Sequence, residues 1–216
     1  MDFFLPVAQV QVSVSIILIL SLIIGFISGL FGIGGGLIIV PVLIGTFISL
    51  GFDNEIIVHL SIGTSISCII FTGLASANAH RKKKSIDFNQ FKPVAIGIIF
   101  GALGGALFAV GIEGLILKFT IAIFILLVGI QILFDIKISS RKINSTKPKS
   151  IFAGTIIGFL SSILGIGGGT FSVPYFSSLG LKLTSAIGTS AACGVPIAIF
   201  GTMGYIIAGY NILELP

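Results

Sequence analysis

Charged residues are scarce in this sequence. Only 12 Lys and Arg and 7 Asp and Glu occur among 216 residues, which is 9% of the chain, whereas a typical soluble domain carries about 25%. Hydrophobic residues make up 55% and the mean hydropathy is +1.20. So few charges cannot cover the surface of a soluble protein of this length. The composition therefore excludes a soluble enzyme and a nucleic-acid-binding domain, despite the net charge of +5, and predicts an integral membrane protein.

Cysteine is almost as scarce, and tryptophan is absent. The two cysteines, Cys68 and Cys193, provide neither a disulfide framework nor a metal cluster. No Asp or Glu lies deep in any uncharged stretch, so the sequence shows no obvious proton carrier. It shows no pairing of a nucleophile with a base either, which makes an intramembrane enzyme the weakest alternative. We therefore expect no catalytic residues, no cofactor and no bound metal.

Long uncharged runs predict membrane-spanning helices, because about 20 apolar residues cross a bilayer as a helix. The predicted spans are 10–31, 56–79, 93–112, 115–134, 150–168 and 183–209. Two shorter apolar segments, 37–50 and 170–181, are too short to span and suit half-helices or re-entrant segments. No basic residue precedes the first apolar run, so we expect that helix to be retained rather than cleaved as a signal peptide. The predicted fold class is an all-α integral membrane protein.

Most basic residues lie in two loops, 81–92 and 137–149. The positive-inside rule places both loops in the cytoplasm. Two predicted helices separate the loops, and an even number agrees with this assignment. A lipid-binding or nucleic-acid-binding patch is an alternative use of the same lysines. Topology already explains them, so we expect the lipid bilayer and no nucleic acid as a partner.

The sequence contains an internal repeat. Residues 25–43 read GFISGLFGIGGGLIIVPVL and residues 158–176 read GFLSSILGIGGGTFSVPYF, with 10 of 19 positions identical. A second matched block, Ile-Gly-Thr-Ser followed by Cys, occurs at 62–68 and again at 187–193. Both copies are predicted to run in the same direction through the membrane, so the repeats are parallel, an arrangement known among transporters.

The repeat predicts the domain organisation. The first transmembrane repeat is 1–136, a basic cytoplasmic linker is 137–149, and the second repeat is 150–216. The second repeat is shorter by two predicted helices and is expected to be incomplete. Either the sequence is truncated, which we favour, or another chain supplies the partner, including a second copy in a homo-oligomer.

A run of glycines in each repeat predicts a broken helix in the membrane. Several glycines together destabilise a helix by roughly 1 kcal/mol each relative to Ala. A short helix that begins after such a break presents unpaired N–H groups and the positive end of its dipole, which attract an anion without a buried Arg or Lys. The predicted substrate-binding glycines are Gly34, Gly35, Gly36, Gly167, Gly168 and Gly169.

The second repeated block adds polar side chains on one helix face, because residues four apart share a face. Hydroxyls can donate to the oxygens of an oxyanion, and thiols are polarizable neighbours for sulfur. The predicted contacts are Thr64, Ser65, Cys68, Thr189, Ser190 and Cys193. Hydrogen bonds from these hydroxyls to the backbone of their own or an adjacent helix are the alternative interpretation.

Glycines can also simply allow helices to approach each other closely. The spacing of Gly25/Gly29, Gly97/Gly101/Gly105 and Gly154/Gly158 predicts that role. Helix packing is also the main alternative for the two glycine blocks. A dinucleotide-binding loop is excluded, because its final glycine position holds Leu37 in one copy and Thr170 in the other.

The sequence resembles the TauE/SafE family of sulfite exporters, the four-toluene sulfonate uptake permease type. The resemblance rests on the paired glycine blocks, each followed by Val-Pro, on the two Ile-Gly-Thr-Ser blocks and on the HRKKKSID loop at 80–87. The resemblance covers nearly the whole chain apart from the last helices of the family pattern. It implies export or uptake of sulfite, sulfoacetate or a related sulfur-containing anion by a multi-pass protein of the cell inner (plasma) membrane.

Sequence and resemblance together predict a transporter that works by alternating access, with the anion between the two repeats and one repeat rocking against the other. An anion channel and a non-transporting membrane scaffold or fragment are the alternatives. The sequence does not indicate the direction of transport or a coupling ion.

Overall fold

The computed structural model describes residues 22, 36–53, 55–134 and 145–210. Seven helices lie in this part of the chain, and the all-helical fold class is confirmed. They are α1 (Gly36–Ser49), α2 (Ile57–Lys82), α3 (Phe88–Val110), α4 (Gly114–Leu133), α5 (Lys147–Leu164), α6 (Gly169–Ser178) and α7 (Leu183–Tyr210). The parallel repeats remain a prediction from the sequence.

Four of these helices are long and apolar enough to cross a membrane: α2, α3, α7 and, over Gly114–Gln131, α4. The predicted span 150–168 corresponds to α5, Lys147–Leu164. This helix is not among the four, because it has only 18 residues and two of them are lysines. The predicted short segments are confirmed as α1, with 14 residues, and α6, with 10. The predicted span 10–31 lies outside the described residues except for Leu22.

Helix α7 is the central element of the described fold. It contacts α2, α3, α5 and α6, while α1 packs against α2. The core consists of aliphatic side chains such as Ile62, Ile66 and Ile98, which are fully buried. Helix α4 lies at the edge and exposes Phe119, Leu126 and other large apolar side chains, as expected of a helix in contact with lipid.

Helices α3 and α5 approach each other through glycine. A Cβ atom added to Gly97 would overlap the carbonyl oxygen of Ile151, and one added to Gly154 would overlap that of Val94. Gly101, Gly105 and Gly158 make equally close contacts with backbone atoms of the facing helix. The predicted packing role of these five glycines is confirmed. Gly25 and Gly29 lie outside the described residues.

Candidate functional site

Four residues, 165–168, link α5 to α6 in the interior of the fold. Helix α5 ends because Gly165 adopts a left-handed conformation with φ of 72°, and Gly168 adopts another with φ of 79° immediately before α6. A residue with a side chain would pay about 1–2 kcal/mol for such a conformation. The glycine block thus breaks the helix where the sequence predicts it, and α6 starts at the last glycine of the block, Gly169.

The beginning of α6 is enclosed by its neighbours. Gly168 is buried, and a Cβ atom on it would overlap Cδ1 of Ile197 in α7. A Cβ atom on Gly167 would lie 3.2 Å from Cγ2 of Ile69 in α2. The residue before this helix is Gly168, which has no side chain with which to cap it. The positive end of the α6 dipole therefore points into a protein-lined interior between α2 and α7.

The beginning of α1 lies beside the same link. A Cβ atom on Gly36 would overlap the carbonyl oxygen of Gly165 and stand 2.9 Å from Cα of Ile166. Ser65 of α2 donates a hydrogen bond to the same carbonyl oxygen over 2.9 Å. Two of the predicted site residues, Gly36 and Ser65, are thus brought to the break. Gly34 and Gly35 lie outside the described residues.

A short hydrogen-bond relay supports the first turn of α6. The Ser172 hydroxyl donates to the carbonyl oxygen of Gly168 over 2.6 Å, and the hydroxyls of Ser172 and Ser190 are 2.6 Å apart. A hydroxyl has one proton. Since Ser172 gives its proton to Gly168, Ser190 must donate to Ser172. The predicted residue Ser190 therefore contacts the break through Ser172. Comparison of the two repeats did not reveal Ser172, because Ile39 stands at the matching position of the first copy.

Ser161, in the last turn of α5, differs from the other serines near the break. It is 0% exposed, and its hydroxyl makes no hydrogen bond within the described part of the chain. A Cβ atom on Gly168 would stand 3.7 Å from this hydroxyl oxygen. Leaving a buried hydroxyl unpaired costs about 1–3 kcal/mol. Sequence reasoning missed Ser161, although Ser28 stands at the matching position of the first copy and was a usable signal.

For the other predicted side chains, the described structure gives no hydrogen bond to the break. Thr189 is buried, and its hydroxyl accepts a hydrogen bond from the backbone N–H of Asp87. Thr64 is half-buried on α2. The two thiols are free and have different surroundings, because Cys68 is exposed and Cys193 is fully buried.

Charge is absent from the link itself, since residues 165–168 read Gly-Ile-Gly-Gly. Among the residues that the structure describes, no group of three or more His, Cys, Asp or Glu could hold a metal ion. The groups present at the break are therefore backbone N–H donors, backbone carbonyls and serine hydroxyls. Such neutral donors at a helix start suit an anion.

Comparison with known proteins shows the family. The family model "Sulfite exporter TauE/SafE" matches residues 17–215. A "Probable membrane transporter protein" of Haemophilus influenzae is 32% identical over 195 residues, covering 90% of this chain and 74% of that protein. Another protein of that description, from Methanocaldococcus jannaschii, is 30% identical over 207 residues, covering 91% and 76% of the two chains. No solved structure matches.

The match covers nearly the whole chain, and the relatives carry membrane transporter names. The predicted resemblance, and the prediction that the protein is not an enzyme, are confirmed. The chain is a multi-pass membrane protein and belongs to the TauE/SafE family of transporters.

Proposed function

We propose that this protein carries sulfite or a related small sulfur-containing anion across the membrane by alternating access, and that the anion binds at the beginning of α6. The observation that carries the proposal is the buried start of α6 at Gly168, a residue without a side chain that lies between α2 and α7. The family description, sulfite exporter, supports the substrate class.

The chemistry of an oxyanion fits this place. The first turn of a helix has N–H groups without intrahelical partners, and they lie at the positive end of the dipole. Together they stabilise a negative charge without a buried Lys or Arg, whose placement in a bilayer is costly. Gly165 and Gly168 have no side chains of their own, so only the ends of neighbouring side chains, such as Val40 and Ile197, separate the backbone from an approaching anion. The predicted counterpart is the block Gly34–Gly36, whose last residue begins α1.

Alternating access requires that the anion site opens to one side of the membrane at a time. The two basic loops, 81–92 and 137–149, define the cytoplasmic side in this proposal. Contacts to the anion from Thr64, Cys68, Thr189 and Cys193 remain predictions from the sequence.

Flux of radiolabelled sulfite into proteoliposomes tests the proposal. We expect saturable uptake that thiosulfate or another sulfur-containing anion inhibits, and no uptake in protein-free liposomes. Flux that rises linearly with sulfite concentration would indicate a channel. Absence of flux for sulfite, thiosulfate, sulfate and taurine alike would reject the proposed substrate class.

Two leucine substitutions locate the site. Gly168→Leu should abolish flux, because the side chain would fill the start of α6 against Ile197. Gly104→Leu is the matched control, since a Cβ atom there meets nothing within 4 Å, and it should retain flux. Membrane insertion of both variants is measured in parallel. Wild-type flux in an inserted, folded Gly168→Leu variant would show that the anion does not bind at the beginning of α6.

A further inference from the structure

The hydroxyl groups around the break between α5 and α6 differ in how their protons are used. Four serines with fully or almost fully buried side chains surround it: Ser65, Ser161, Ser172 and Ser190. Ser65 donates to Gly165, Ser172 donates to Gly168, and Ser190 donates to Ser172. Three of the four protons are therefore committed to protein acceptors. Within the described residues, the Ser161 hydroxyl has no acceptor.

Ser161 also departs from the usual behaviour of serine in a helix. Such a hydroxyl normally bonds back to the carbonyl three or four residues earlier. The adjacent Ser162 does this, with 3.0 Å to the carbonyl oxygen of Gly158 and 3.1 Å to that of Phe159. Ser61 does the same with Ile57 over 2.7 Å. A buried polar group that lacks a protein partner calls for an explanation, and a ligand is one.

The position of Ser161 supplies that explanation. Its hydroxyl oxygen lies 3.7 Å from the place where a side chain on Gly168 would begin. Gly168 directly precedes α6 and has no side chain of its own, and Cδ1 of Ile197, the end of a flexible side chain, covers this place and must move aside to admit an anion. The hydroxyl of α5 and the positive start of α6 therefore border the same small region. We infer that Ser161 is the side chain that donates a hydrogen bond to an oxygen of the transported oxyanion, an inference that rests on the proposed function.

The chemistry distinguishes this role from general packing. An oxyanion has several acceptor oxygens, and a serine hydroxyl can donate one proton to one of them without carrying charge. Hydrogen bonds to charged groups are the stronger class. Removing the hydroxyl should weaken binding of the anion. It should not weaken the fold, because no described residue forms a hydrogen bond with this hydroxyl.

Kinetics of Ser161→Ala and Ser162→Ala in proteoliposomes test the inference. We expect the KM for sulfite to rise about 10-fold or more in Ser161→Ala, the range for a lost hydrogen bond to a charged group. The neighbouring control, Ser162→Ala, should keep the wild-type KM. If the wild type shows saturable flux and Ser161→Ala has the same KM as the wild type, the inference is overturned and the proposed function stands. No saturable flux in the wild type would instead reject the proposed function.

Thermal unfolding in detergent provides a readout independent of flux. Saturating sulfite should raise the unfolding midpoint of the wild type, because a ligand that binds only the folded state stabilises it. The rise should shrink in Ser161→Ala, while its midpoint without sulfite stays at or above that of the wild type. A lower midpoint without sulfite, combined with an unchanged rise, would show a purely structural role. Should Ser161→Ala fold poorly, Ser161→Cys keeps the size with a weaker donor and should show the same loss of affinity.

Discussion

The Thr189 hydroxyl accepts a hydrogen bond from the backbone N–H of Asp87 over 2.9 Å. This bond joins the turn between α2 and α3 to the first part of α7. The neighbouring Gly188 tightens the same contact, since a Cβ atom on it would stand 2.5 Å from the hydroxyl oxygen of Ser85. Ser85 in turn lies 3.0 Å from Nδ1 of His80. A cleft of about 430 Å³, lined by Asp87 and its neighbours on α3 and α7, lies beside this turn.

Replacing Thr189 with Val should destabilise the protein by about 1 kcal/mol, because the Asp87 N–H loses its acceptor. Thr189→Ser keeps the hydroxyl and is the control. The midpoints of thermal unfolding in detergent measure both variants. Equal midpoints for Val and wild type would mean that the hydrogen bond contributes nothing to stability.

Placing a large side chain between α3 and α5 at one of their contacting glycines should prevent folding. Gly97→Leu would force a side chain into the backbone at Ile151, and no flexible atom there can yield. We expect little folded protein in size-exclusion chromatography. Gly129→Leu on α4 is the control, because a Cβ atom there meets nothing within 4 Å. A monodisperse Gly97→Leu variant with the wild-type unfolding midpoint would contradict the close contact.

The relay from Ser190 through Ser172 to Gly168 predicts unequal and non-additive losses. Ser172→Ala removes both hydrogen bonds of the relay, whereas Ser190→Ala removes one. The first variant should therefore be the less stable, by about 1 kcal/mol. The double variant, Ser172→Ala with Ser190→Ala, contains no Ser190 hydroxyl that would need a partner. The stability of this double variant should therefore resemble that of Ser172→Ala alone. Additive losses in thermal unfolding would show that the two hydroxyls do not interact.

His59 ties the end of α3 to α2. Its Nε2 atom lies 3.2 Å from the carbonyl oxygen of Ala109 and 3.0 Å from that of Ile112. We expect His59→Leu to speed hydrogen exchange in the turn before α4, because these carbonyls lose their donor and the helix end frays. Asn78→Ala, at an exposed position on the same helix, should leave that exchange unchanged. Unaltered exchange in His59→Leu would show that other contacts hold this turn.

Much of the fold could be predicted from uncharged runs, because a bilayer demands long apolar helices. The predicted span 56–79 is close to α2, Ile57–Lys82, which continues into the basic loop where hydropathy gives no signal. Helix α3 begins at Phe88 rather than at 93. Asp87 accepts hydrogen bonds from the first backbone N–H groups of α3 and so sets this boundary, a capping signal that hydropathy does not contain.

The site could be predicted only in part. The glycine block specified the break at 165–168, because glycine tolerates left-handed backbone that other residues avoid. Which hydroxyls have partners could not be read from the sequence. The bond from Ser65 to Gly165 joins residues 100 positions apart. The adjacent serines Ser161 and Ser162 differ only in what surrounds each hydroxyl, and packing between helices decides that.

Backbone contact at Gly97, Gly101, Gly154 and Gly158 locks α3 to α5. Atoms packed this closely resist sliding, so we expect the two helices to move together. Helix α3 belongs to the first predicted repeat and α5 to the second. Rocking of one predicted repeat against the other would therefore have to separate these contacts. A transport cycle that spares the contacts bends the chain on either side of them, at the turn before α3 and at the glycine link after α5.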